Sequence, residues 1–136
     1  MDTKKVDWQI ILLVCSLIII MIMGIRQSLG IFLEPISSFM GNGREFFSIA
    51  IGFQAIIWGL LTFILGILID KFGPQKVLVF GIITYASGIF LLSNPNSEFK
   101  LFSATTLMGF GLGGAGMATM VSIVGKVAPV NKRSFA

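Results

Sequence analysis

The sequence predicts an all-α membrane protein with four transmembrane helices, and three observations lead there. Of its 136 residues 55% are hydrophobic and only 12% charged, whereas soluble domains carry about 25% charged residues. Mean hydropathy is +0.94. Apolar stretches able to cross a hydrocarbon core about 30 Å thick, which takes roughly 20 residues of helix, occur four times. Clusters of Gly, Pro, Asn and Ser separate them.

Composition also removes several function classes. Histidine is absent and the six acids are scattered, so neither a metal cage nor a histidine-based catalytic group can be assembled, and no enzyme activity or cofactor is expected. Cys15, the single cysteine, has no internal disulfide partner and reads as a small hydrophobe within an apolar run. The net charge of +4 does not gather on one face with interleaved aromatics, which speaks against nucleic acid as a partner. The lipid bilayer is the expected one.

Residues 1–7 form a polar lead with Lys4 and Lys5, and a first transmembrane helix is expected over 8–33, opening on Trp8. A cleaved signal peptide shares the positive start, but the run is long and lacks a small-residue cleavage site. The outer loop 34–43 is rich in turn formers, with Asn42 and Glu45 spaced as a helix cap and its third helical residue. A second helix over 44–69 is apolar all round apart from Ser48, Gln54 and Thr62, so lipid or other helices must shield both faces. Gly73-Pro74 ends it within the turn 70–76. The third helix, 77–93, is near the lower length limit; 94–98 is an outer loop, 99–127 the fourth helix, and 128–136 a polar cytoplasmic segment.

Loop charges set the orientation. Lys4, Lys5, Lys71, Lys76, Lys126, Lys132 and Arg133 fall on one side, against Arg44 and Lys100 on the other. By the positive-inside tendency both ends and the 70–76 turn face the cytoplasm.

Arg26 stands within apolar sequence, where a charge is costly and usually faces a water-filled cavity or a partner. Its planar fork suits a carboxylate, holding two oxygens at once. Gln27 and Ser28 adjoin it, while Gln54 and Trp58 share a face of the second helix at i and i+4; together these are expected to line one cavity. Two plainer readings stand beside this one. Arg26 lies about 27 Å beyond Trp8 along a helix, close enough to the outer interface to snorkel, and Trp58 and Tyr85 have simple packing as an alternative role.

The turn GILIDKFGPQK places Asp70 at a helix C-terminus, where an acid is disfavoured by some tenths of a kcal/mol. It should therefore have a partner: Lys71, Lys76, or the N-terminus of a helix from outside this segment. Gly73 is expected to take the left-handed conformation that closes a helix, and Gly66 to let another helix approach. With Gly66, Asp70, Lys71, Gly73 and Lys76 in the pattern GxxxDKxGxxK, the turn resembles the cytoplasmic signature of the major facilitator superfamily. The resemblance implies that it latches the cytoplasmic face of two six-helix halves.

GIRQSLGIFLEPIS and REFFSIAIGFQAIIWGLLTFILGILIDKFG further resemble bacterial monocarboxylate and oxalate/formate porters. That likeness implies secondary transport of a small organic anion, with Arg26 as its cationic ligand, in the bacterial inner membrane. It also implies that the chain is the first four of twelve helices, stopping before helix five and lacking the carboxyl-terminal helices. No acid is embedded in these helices, so a proton-carrying group would lie elsewhere, or transport would proceed by exchange or uniport. The alternative is a stand-alone four-helix protein working as a dimeric small exporter or structural subunit.

GFGLGGAGMA, residues 109–118, contains GxGxxG, but a dinucleotide fold needs a preceding strand and a following acid that are not available. Gly109, Gly111, Gly113 and Gly114 are instead expected to let helices pack backbone to backbone.

Overall fold

A computed structural model of the chain describes residues 8–41, 44–94 and 96–127. Six helices follow in order: α1 Trp8–Ser28, α2 Leu33–Met40, α3 Arg44–Phe72, α4 Pro74–Leu92, α5 Glu98–Gly114 and α6 Met117–Val127. Four spans are long and apolar enough to cross a membrane: α1, α3, α4, and α5 with α6 taken as one. The expected cap at Asn42 lies outside the described residues.

The boundaries differ from the sequence reading where local hydrogen bonding intervenes. α1 stops at Ser28 instead of running to 33, because the backbone turns over on three-residue bonds, Leu29 N–H to Arg26 O at 3.3 Å and Phe32 N–H to Leu29 O at 3.1 Å. The expected loop 34–43 holds α2, whose Pro35 sits in the first turn, where a missing N–H removes no helical bond. Gly41, at φ 67°, closes it. An exposed ion pair, Arg44 to Glu34 at 3.1 Å, ties α2 to the start of α3.

Gly73 alone joins α3 to α4. Its φ of 88° and ψ of 149° lie outside the left-handed helical conformation expected for it, in a region open essentially to glycine alone. Pro74 can then start α4 directly, three residues before the expected 77. Ser97 caps α5, its Oγ accepting from Lys100 N–H at 3.3 Å. The expected continuous helix over 99–127 breaks at Ala115 and Gly116 between α5 and α6.

The α5–α6 span is the core of the bundle. Of its apolar window 67% is buried, against 11% for α1 and for α3, so the outer faces of those two helices stay apolar and exposed. Glycine spacing makes this possible by giving α5 two smooth faces. Gly109 and Gly113 face α3: an added Cβ would lie 3.0 Å from Ile57 Cγ2 at the first and 2.7 Å from Leu65 Cδ1 at the second. Gly111 and Gly114 face α4, against the backbone of Tyr85 and the Cα of Gly81. α4 answers with Gly88, where a Cβ would come within 2.8 Å of Ala104 O. Such contacts supply the dispersion that holds helices together where lipid is as apolar as the side chains.

Candidate functional site

Arg26 lies in the last turn of α1. Its Cζ stands 5.0 Å from the centroid of the Trp58 ring on α3, within the range of a cation–π contact. The Nε is buried without a hydrogen-bond partner, and no carboxylate among the described residues forms an ion pair with the guanidinium. The charge is thus held by an aromatic face and, among the described residues, left without a counter-charge.

A cavity of about 340 Å³ opens beside it, lined among others by Arg26, Gln27, Leu33, Phe47, Ser48 and Ile51. Arg26 and Gln27 therefore share a cavity, while Gln54 and Trp58 do not line it. Trp58 touches the guanidinium and also packs against the cluster of Ile22, Leu29, Tyr85, Met108 and Leu112. Gln54 is 1% exposed, and neither atom of its carboxamide has a partner. Its backbone carbonyl lies where α3 meets α5, 3.1 Å from where a Cβ on Gly109 would stand. Leu33, Phe47 and Ser48 were missed because the turn after Ser28, which folds Leu33 back toward α3, is not written in hydrophobic periodicity.

Tyr85, a packing residue of α4, adds a bond that the sequence pattern does not record. Its hydroxyl donates to the Ile22 carbonyl at 3.1 Å, the carbonyl one helical turn before Arg26. α4 is thereby tied to α1 beneath the cation. Tyr85→Phe removes this bond without opening a cavity; bonds of this kind within membranes are worth about 0.6 kcal/mol, or about threefold. The expected result is a loss of stability of about that size, read as a small drop in the thermal unfolding midpoint; an unchanged midpoint would show that the bond does not tie α4 to α1.

At the opposite end of α3, Asp70 is exposed and makes no ion pair among the described residues, neither with Lys71 nor with Lys76. Lys71 instead places its Nζ 5.5 Å from the Phe72 ring. No element approaches Gly66 within 4 Å of where a Cβ would stand, so the close helix approach expected there is not made inside this segment. Among the described residues no three His, Cys, Asp or Glu side chains gather as a metal site.

The family profile of the Major Facilitator Superfamily matches residues 12–136. An "Uncharacterized transporter" of Buchnera aphidicola subsp. Schizaphis graminum (strain Sg) is 25% identical over 123 residues, which are 89% of this chain and 31% of that protein. The chain therefore spans about a third of the length of that relative. No solved structure matches it. With four apolar spans among the described residues, one of them a glycine-rich core, and a profile match over all but residues 1–11, this multi-pass integral membrane protein belongs to the major facilitator superfamily.

Proposed function

We propose that the chain serves as the amino-terminal third of a secondary transporter that carries a small organic anion, a monocarboxylate or dicarboxylate, by alternating access. One observation carries this reading: the guanidinium of Arg26, stacked on Trp58 beside a cavity of about 340 Å³, has no carboxylate partner within the described residues. A charge in apolar surroundings is stabilised only by an opposite charge, by hydrogen bonds or by water. A transported carboxylate supplies the first two when it enters and returns the site to water when it leaves. Gln27 lends a polar group at the cavity wall, and Gln54 and Trp58 act from behind it, Trp58 by holding the guanidinium plane.

Coupling follows from what these helices contain. Asp70, Glu45 and Glu98 lie at helix ends, so no carboxylate in the middle of a span is available here to carry a proton. Protonation therefore belongs to the remaining helices of the permease, or the anion is exchanged for another. The signature turn of Gly66, Asp70, Lys71, Gly73 and Lys76 latches the cytoplasmic face, with both ends of this segment on that side of a bacterial inner membrane. An exposed, unpaired Asp70 and the open face at Gly66 leave that turn free for a helix of the other half. Asp70→Asn is expected to lower turnover on the order of tenfold while leaving membrane insertion intact; unchanged turnover would reduce Asp70 to a loop charge.

Uptake of labelled lactate, pyruvate, oxalate and formate into proteoliposomes holding the full-length permease tests the assignment. Saturable uptake of at least one anion is the expected result. Transport of only neutral or cationic solutes, unaffected by any carboxylate, would refute it.

A further inference from the structure

Two cavities lie toward the Gly73 end of the bundle, and neither is lined by Arg26. The first, about 420 Å³, runs along α3 past Leu61, Ile64, Leu68 and Phe72, with Phe80 of α4 opposite. No polar atom is exposed in its wall, Lys76 contributing only its methylene stem. The second, about 220 Å³, lies at the bundle end and is lined by Gln75, Lys76, Lys126 and neighbouring residues. Phe72 and Lys76 line both. An oily groove and a small pocket bordered by two lysines therefore share a wall.

Length argues for one occupant. From Leu61 to Phe72 is eleven residues, about 16 Å of helix rise, and one leaflet of a hydrocarbon core about 30 Å thick is about 15 Å. A second helix lying along α3 would call for a seam over the whole span, but this groove occupies only its last three turns. The lysines sit where a headgroup would, and pockets of this kind between transmembrane helices suit anionic lipids. Asp70 is the one acid among the described residues at this end, against Lys71, Lys76 and Lys126.

We propose that the groove holds an acyl chain of an anionic phospholipid whose headgroup is taken by Lys76 and Lys126. The site shares Lys76 with the signature turn and no lining residue with the Arg26 cavity. Native mass spectrometry of the purified protein in detergent, titrated with phosphatidylglycerol or with phosphatidylcholine of the same chains, tests it. Phosphatidylglycerol is expected to bind more tightly. Lys126→Gln should weaken it about fivefold, as befits one lysine at a lipid surface, and leave phosphatidylcholine unchanged. Ile64→Trp, which fills the groove from an exposed position, should weaken both lipids, whereas Leu13→Trp on the lipid face of α1 should weaken neither. Equal binding of the two lipids by the parent protein, or full phosphatidylglycerol binding by Ile64→Trp, would overturn the proposal. Displacement of the lipid by glycerol phosphate alone would also overturn it, marking a soluble-phosphate pocket instead.

Discussion

Proteoliposomes carrying the Arg26→Gln permease are expected to lose at least about tenfold in the catalytic efficiency of anion uptake, with normal protein content. Charge-assisted hydrogen bonds contribute about 1.5–3 kcal/mol each, and each 1.4 kcal/mol is about tenfold. Glutamine keeps some polarity and length, so α1 need not repack. Arg26→Lys should fall between the two, since an ammonium keeps the charge but cannot present a planar fork to two oxygens or stack as well on Trp58. Measured as initial uptake rates against anion concentration, the loss should appear chiefly in apparent affinity. Equal rates for parent and Arg26→Gln would remove Arg26 from the site.

The second large effect concerns folding. A Cβ at Gly111 would stand 2.6 Å from the Tyr85 Cα, and backbone cannot rotate out of the way as a side chain can. Overpacking costs about 1–3 kcal/mol, a large part of a total stability of about 5–15 kcal/mol. Gly111→Ala should therefore lower the thermal unfolding midpoint clearly, and Gly111→Val should prevent a well-behaved folded species altogether. Gly59→Ala is the control: on α3 nothing lies within 4 Å of where its Cβ would stand. There, alanine is expected to be neutral or stabilising by about 0.5–1 kcal/mol, through lower chain entropy and better helix propensity. Equal midpoints for Gly111→Ala and Gly59→Ala would contradict the two-faced packing of α5.

The four apolar spans could be read from the sequence because lipid imposes a length and a composition that no soluble fold needs, and residues such as Ile20 and Phe63 satisfy it by remaining exposed in the isolated chain. α2 could not, since Glu34, Pro35, Ser37 and Ser38 look like a loop when counted by hydrophobicity alone. The bend after Ser28 was hidden for a similar reason. It depends on backbone bonds and on Ser28 Oγ donating back to the Gly24 carbonyl at 2.9 Å, which no apolar pattern records. That α5 would be the core was not apparent either. Its glycines announced close packing, but which glycine meets which helix follows from the angular difference between i+2 and i+4 once the neighbours are in place. At the candidate site the unusual residue, Arg26, stood out through its chemistry, whereas the cavity wall at Leu33, Phe47 and Ser48 came from tertiary folding of ordinary residues. Gln54 stands out in the sequence as a polar break in α3, yet its near-complete burial is not readable from spacing.

Because the guanidinium lies 5.0 Å from the Trp58 ring, an anion that engages Arg26 changes the field at the indole. The most direct test is the Trp58 fluorescence of the full-length permease, defined as the signal lost in Trp58→Phe, titrated with small carboxylates and in parallel with their neutral amides. A saturable change with at least one carboxylate, none with its amide, and none in Arg26→Gln is the predicted outcome. The same response to acid and amide, or a carboxylate response that persists in Arg26→Gln, would contradict the claim that this arginine receives the transported anion.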